Sequence, residues 1–248
     1  MSSISSELTT TISACHDAAF NQAVSPDLPG PIERSVAGRA WGDVVQQLAK
    51  RGIDVIGALG GLVLLCPVFA LISLLIRRES RGPVLFRQAR VGLNGQTFEM
   101  LKFRTMVSDA EARLREVEHL NESDGGVLFK VKKDPRVTRI GRVLRRTSLD
   151  ELPQLINILR GEMSLVGPRP LQLRDCDLLV KAAPEAFDRR HTVLPGLTGA
   201  WQVSDREETG FTHLLQHDLE YIERWSLALD LRLMAQTVLA VIRGRGLC

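Results

Sequence analysis

The sequence predicts a mainly α-helical protein with a small β-hairpin, a monotopic membrane protein held on one face of the bilayer by a Pro-broken re-entrant helix and interfacial amphipathic helices. Three observations carry that prediction. From Val55 to Ile76 the only side chains with a hydrogen-bonding group are Ser73 and the weak thiol of Cys66. Pro67 falls near the middle of that run, and basic residues flank it on both sides, at Lys50, Arg51, Arg77, Arg78 and Arg81. Further on, apolar residues recur at helical spacing beside arginines, and Asn94-Gly95 is a strong tight-turn pair.

Length and composition set bounds. A chain of 248 residues suffices for one sizeable domain with appendages. With 32 Lys and Arg against 29 Asp and Glu, the formal net charge of +3 is too small to argue for a nucleic-acid partner. Cys15, Cys66, Cys176 and Cys248 show no CxxC spacing and no zinc-type spacing to His, which excludes a metal framework and a disulfide scaffold. The first twenty residues lack a basic n-region and an apolar h-region, so export of the bulk of the chain is not expected.

Residues 1–40 are rich in Ser, Thr, Ala and Pro, and Ser25 to Pro31 cannot hold a helix or a central strand, which predicts a disordered tail. Residues 41–81 form the next unit, an amphipathic lead-in followed by the apolar segment. Its length suits a spanning helix, yet positive charge on both flanks disfavours a simple crossing. A break at Pro67 leaves arms of about 12 and 10 residues, each roughly 15 to 18 Å long, and neither crosses a core of about 30 Å. The segment therefore enters and returns. A kinked transmembrane helix and a buried core helix are the other readings of the same residues.

Residues 82–248 form the third unit. Val84 to Phe86, the Asn94-Gly95 turn and Thr97 to Phe103 predict a short hairpin. Ser108 and Glu111 have capping-box spacing and predict a charged helix to about Leu120, before a polar loop over residues 121–126. Arg136, Arg139, Arg142 and Arg145 recur every third position with Arg146 adjacent, a basic strip on a helix beside Val137, Ile140, Val143 and Leu144. Such a helix suits a membrane or domain surface, or simply a solvated basic face.

Thr147 to Leu155 holds the most chemically suggestive residues. Pro153 lacks an N–H and sits most easily in a first helical turn, placing Asp150 and Glu151 at or next to a helix N-terminus. There the helix dipole favours negative charge, so both carboxylates are expected to stay ionised. One can attack phosphorus while its neighbour helps hold a divalent cation. Ser148 and Glu151 also have capping-box spacing, and an acidic pair in a first turn serves many helices without catalysis. Prolines on both sides of Arg169 restrict its backbone, so its guanidinium can meet phosphate oxygens, or the segment is a rigid surface turn. Pro195 to Gln202 forms a second constrained loop that approaches a ligand or merely turns the chain.

In order along the chain, Lys50-Arg51 with Asp54, the Pro-broken apolar segment, Lys102 to Met106, Ser148 to Leu155, Ser164 to Pro170 and Pro195 to Val203 resemble the bacterial sugar transferase family, the monotopic polyprenyl-phosphate sugar-1-phosphate transferases. The resemblance runs from about Lys50 to the C-terminus and is closest to the short, exopolysaccharide-initiating type. It implies an Asp150–Glu151 dyad that holds Mg2+, with Asp150 the nucleophile of a covalent phospho-sugar intermediate. It implies Lys102, Arg145, Arg169 and Gln202 as substrate and phosphate-binding residues, with UDP-hexose and undecaprenyl phosphate as substrates and UMP released. Asp218, Tyr221 and Asp230 also follow the family pattern, within two expected helices over Phe211 to Arg243, the second either interfacial or core.

The implied setting is the cytoplasmic face of the bacterial inner membrane, among membrane lipids and downstream glycosyltransferases, with a homodimer left open. One departure is Cys66 where the family often has Ser, so the bend rests more heavily on Pro67. Neither glucose nor galactose is singled out by any residue. A rival reading is a non-catalytic membrane adaptor that binds anionic or polyprenyl phosphate lipids through its arginines. A nucleic-acid binder would need aromatic residues beside the basic strip, which carries aliphatics, Thr and Ser.

Overall fold

The computed structural model describes residues 40–117, 131, 134–204 and 211–243. The expected tail, apart from Ala40, and the polar loop over residues 121–126 lie outside these residues. Among the described residues the fold is mainly helical, with two small two-stranded sheets.

Helix α1 (Ala40–Leu64) runs through the amphipathic lead-in into the apolar segment. Helix α2 (Cys66–Glu79) follows with Pro67 in its first turn, where a missing N–H is tolerated. The pair bends by 61°, and among the described residues no single helix is long and apolar enough to cross a membrane. Inside α2, Ser73 Oγ donates to the Phe69 carbonyl at 2.7 Å. Ile56, Leu59, Val63, Leu64, Leu71 and Leu74 are exposed along the bent pair, whereas Ala58, Ile72 and Ile76 are buried. Burying Ile72 and Ile76 against Phe103 and Leu144 contributes about 1.5 to 3 kcal/mol each and seats the second arm on the rest of the chain.

Three side chains of α1 hold it to the domain. Lys50 Nζ donates to Asp230 Oδ2 at 2.6 Å and to the Val166 carbonyl at 3.0 Å. Arg51 donates to the Ile158 and Leu159 carbonyls, and Asp54 Oδ1 accepts from Ser164 Oγ and the Leu165 N–H. The resemblance marks Lys50-Arg51 with Asp54 are thus a docking triad.

Strands β1 (Leu85–Val91) and β2 (Thr97–Phe103) pair antiparallel, Leu85 opposite Phe103 and Val91 opposite Thr97. Asn94 and Gly95 take left-handed φ of 53° and 74° between them, as the tight-turn pair predicted. The outer edge of β2 is met by the buried side chain of Asn157, which accepts from the Leu101 N–H and donates to the Glu99 carbonyl.

Two expectations need correction. Where a charged helix is expected from Ser108 to about Leu120, the chain runs in turns as far as Arg113 before α3 (Leu114–Val117), because Val107 and Ala110 bond to Arg136 instead of opening a helix, and residues 118–120 lie outside the described residues. Arg136 also leaves the basic strip. Helix α4 (Arg139–Thr147) starts only at the Thr138 cap, and Arg136 turns inward to a bidentate, buried pair with Asp134. Glu79, at the end of α2, accepts from the Arg139 and Ile140 N–H groups at 2.7 and 2.9 Å and completes that cap.

Beyond a 3-10 turn over Leu149–Glu151 come α5 (Gln154–Arg160) and β3 (Ser164–Val166). Helices α6 (Leu173–Ala182) and α7 (Pro184–Arg190) lead to β4 (Gly196–Thr198), which pairs parallel with β3. The short α8 (Ala200–Val203) precedes α9 (Phe211–Glu223) and α10 (Leu227–Ile242), the two expected C-terminal helices. A core of Leu171, Leu179, Phe211, Leu214, Leu215 and Leu219 joins α6 to α9.

Helix α4 sits against the chain at Gly141, where an added Cβ would lie 2.0 Å from the Thr105 carbonyl oxygen. Backbone cannot yield there as a flexible side chain can. Gly141→Ala is expected to cost about 1 to 3 kcal/mol, read as a lower thermal midpoint, whereas Gly52→Ala, inside α1 with open space around it, should hold or slightly raise the midpoint.

Candidate active site

Ser148, with φ of 55°, is the left-handed C-cap of α4 and reverses the chain into the turn that holds Asp150 and Glu151. Pro153 then opens α5. The acidic pair therefore lies next to a helix start, as its spacing predicted. The capping-box alternative is not what Glu151 does. Its Oε1 accepts from Lys102 Nζ at 2.7 Å and from Arg169 Nη2 at 3.4 Å, bridging β2 and the loop after β3.

Asp150 and Glu151 are both buried. Asp150 Oδ1 meets no hydrogen-bond donor among the described residues. Burial is the largest influence on this carboxyl and holds it above its ordinary value of 3.8, with Glu151 adding to the rise and Lys102 and Arg145 opposing it. Burial thus works against the ionised form that a helix start favours.

Arg169 reaches Glu151 because β3 and β4 meet closely. A Cβ on Gly196 would sit 2.1 Å from the Gly167 nitrogen, so only glycine lets the two strand ends approach this way. The Gly196 N–H bonds the Pro168 carbonyl, and the Gly167 N–H bonds the Thr198 carbonyl. Two buried arginines grip the loop that follows. Arg190 donates to the Arg169 carbonyl while its Nε holds Asp218 Oδ2 at 2.9 Å, and Arg90 Nη1 donates to the Pro170 carbonyl at 2.9 Å. Neither arginine was singled out from the sequence. Arg90 left a faint signal as a lone charge between Ala89 and Val91 on a strand, and Arg190 left none.

The other expected residues divide. Arg90, Lys102, Glu151, Gln154 and Arg169 line one open cleft. Asp150, Arg145 and Gln202 lie outside that lining. Arg145 Nε donates to Thr105 Oγ1 at 3.0 Å and acts on Asp150 through its charge. Gln202 is buried, and neither of its side-chain amide atoms is hydrogen-bonded among the described residues, its Oε1 lying over Gly199. Pro67 is in the first turn of α2, at the bend.

Among the described residues no group of three or more His, Cys, Asp or Glu side chains could hold a metal ion. A hard divalent cation such as Mg2+ needs only one or two protein carboxylates when substrate phosphates and water complete its shell. The unpartnered Asp150 oxygen beside Glu151 fits that requirement. Chemically the site can gather an anion with Lys102, Arg169 and Arg90 and present a carboxylate oxygen to it.

Fold and site together define a helical protein whose cation-ringed carboxylate pair stands at the foot of a bent apolar helix pair. Residues 45–244 match the model of the bacterial sugar transferase family, and the chain belongs to that family. It is 42% identical over 202 residues to the exopolysaccharide production protein ExoY of Rhizobium meliloti (strain 1021), over 80% of this chain and 88% of that protein. It is 42% identical over 200 residues to the UDP-glucose:undecaprenyl-phosphate glucose-1-phosphate transferase of Caulobacter vibrioides, over 79% of this chain and 70% of that one. The UDP-galactose-lipid carrier transferase of Erwinia amylovora is 38% identical over 204 residues, 79% of this chain and 41% of that longer protein.

The Asp150 environment has a consequence for stability. The folded protein binds the Asp150 proton more tightly than the unfolded chain does, so this group's contribution falls as pH rises from 3.8 through its raised folded value. Asp150→Asn is therefore expected to unfold at a higher temperature than the parent at pH 7. The gain should shrink toward pH 4, and a variant less stable than the parent at pH 7 would contradict the burial argument.

Proposed function

We propose that this chain transfers hexose-1-phosphate from a UDP-hexose to undecaprenyl phosphate, as the first membrane step of exopolysaccharide biosynthesis. The observation that carries the reading is the unpartnered, buried oxygen of Asp150 beside a Glu151 bracketed by Lys102 and Arg169, in a chain of the bacterial sugar transferase family. The names of its relatives support the substrate class and divide between glucose and galactose.

In this mechanism Asp150 Oδ1 attacks the phosphorus that bears the sugar, and the bond to the bridging oxygen breaks, releasing UMP. An oxygen of undecaprenyl phosphate then attacks the same phosphorus, freeing Asp150 and leaving the sugar on a lipid diphosphate. Lys102 and Arg169 bind donor phosphate oxygens, which supplies the positioning and charge neutralisation that phosphoryl transfer requires. Arg145 stabilises the Asp150 carboxylate at a distance, and Gln202 offers its unused amide to the donor. Mg2+ held by Asp150 and Glu151 would neutralise the charge of the diphosphate.

The membrane part of the proposal is a re-entrant α1–α2 hairpin on the cytoplasmic face of the inner membrane. Its support is the 61° bend, the basic residues at both ends and the exposed apolar side chains between them. Val143 beside Arg139, Arg142 and Arg146 on α4, and Leu231, Val238 and Leu239 on α10, are exposed apolar groups that suit interfacial helices. Membrane lipids then surround the hairpin, and glycosyltransferases that extend the lipid-linked sugar follow in sequence.

The test is release of UMP by nanodisc-held protein given magnesium, undecaprenyl phosphate and a panel of UDP-sugars. Asp150→Asn should slow release by about 10³-fold or more. Normal turnover in that variant would reject Asp150 as the nucleophile, whereas no UMP from the parent with any donor would favour a membrane adaptor over an enzyme. For topology, Gln47→Cys and Arg81→Cys in a background without other thiols should both label from the cytoplasm, and labelling from opposite sides would reject the hairpin.

A further inference from the structure

Among the described residues Arg90 hydrogen-bonds no carboxylate, and Asp175 and Glu151 reach it only through their charge. It is 9% exposed, it lines the cleft with Lys102, Glu151 and Arg169, and the acceptors it reaches are neutral. Nη1 donates to the Pro170 carbonyl at 2.9 Å and Nη2 to Gln88 Oε1 at 2.6 Å, while Nε is buried with no acceptor. Burying a guanidinium this way is costly unless an anion offsets it. Burial, and after it the charge of Arg169, pushes Arg90 down to about 10. Lys102 and Arg169 already share the single oxygen Glu151 Oε1. Three cations thus line one cleft, with Glu151 between two of them.

Building on the proposed function, we infer that Arg90 is the third cation of the donor-phosphate site, set beneath the cleft to attract the diphosphate of the UDP-sugar and to hold Arg169 toward it. The doubly charged diphosphate is the anion that balances the crowded cleft. The Nη1 bond to the Pro170 carbonyl and the ladder bond from the Val91 N–H to the Leu171 carbonyl make β1 the rigid backing of the Arg169 loop. Arg90 therefore acts twice, through its field on the ligand and through the loop on Arg169.

Calorimetric titration of UDP, with magnesium present, into nanodisc-held parent, Arg90→Gln and Arg90→Lys proteins at low and high salt tests the inference. Arg90→Gln is expected to weaken UDP binding by about ten- to a hundredfold and to flatten its salt dependence. Arg90→Lys keeps the charge but loses the fork, and should keep the parent's salt dependence with intermediate affinity. UDP affinity within about twofold of the parent in Arg90→Gln would overturn the inference, as would a loss of affinity with unchanged salt dependence, since a packing role does not alter that slope. If Arg90→Gln does not fold, Arg90→Lys decides, and affinity equal to the parent's refutes the role. A parent protein that fails to bind UDP would instead overturn the proposed function itself.

Discussion

Lys50 is the point on which the two halves of the molecule turn. Its ammonium joins α1 to Asp230 on α10 and to the backbone of β3 at Val166, where Tyr221 also donates. The attachment is polar, short and largely out of water, the condition in which removing one partner strands the other. Arg51 on the carbonyl end of α5 and Asp54 on the start of β3 repeat it on neighbouring turns. An apolar helix pair with outward-facing aliphatic side chains is thereby fixed against a polar site rather than tethered to it.

That fixing decides where the charges meet. β3 is held by α1 on one side and β4 on the other, so the loop it feeds has little freedom, and Arg190 and Arg90 take up what remains. Lys102 arrives from a separate element, the hairpin, whose edge is fastened by Asn157 of α5. Glu151 is thus met by cations from two independent directions. Asp150 next to it has no such escort, and its buried oxygen is the least satisfied acid in the site. For the nucleophilic role proposed above that state is an advantage, because solvation that would have to be stripped away is already gone.

Parts of this arrangement were legible along the chain, because they depend on local chemistry. Asn94-Gly95 sets the hairpin, Pro67 marks the bend, and Pro153 puts Asp150 and Glu151 just ahead of α5. The spacing of Arg136 with its neighbours misled, since a three-residue period does not say where the first turn begins, and Thr138 with the distant Glu79 decides it. The pairing of β3 with β4 joins two three-residue strands far apart in sequence, too short for an alternating pattern to reveal. Asp150's desolvation was invisible for the same reason. Burial is a property of the packed chain, and a helix-end argument made from neighbours alone leaves it out.

Glu79 carries a practical corollary. A natural place to cut the chain into an exchangeable membrane module and a soluble remainder is the stretch just past α2, near Ser80 to Gly82. A junction there would pass through the cap of α4, because its first two donors are satisfied from the far side of the cut. Chimeras that graft a foreign hairpin onto this chain would have to bring a carboxylate at position 79, or accept a frayed start to the helix that delivers the acidic turn.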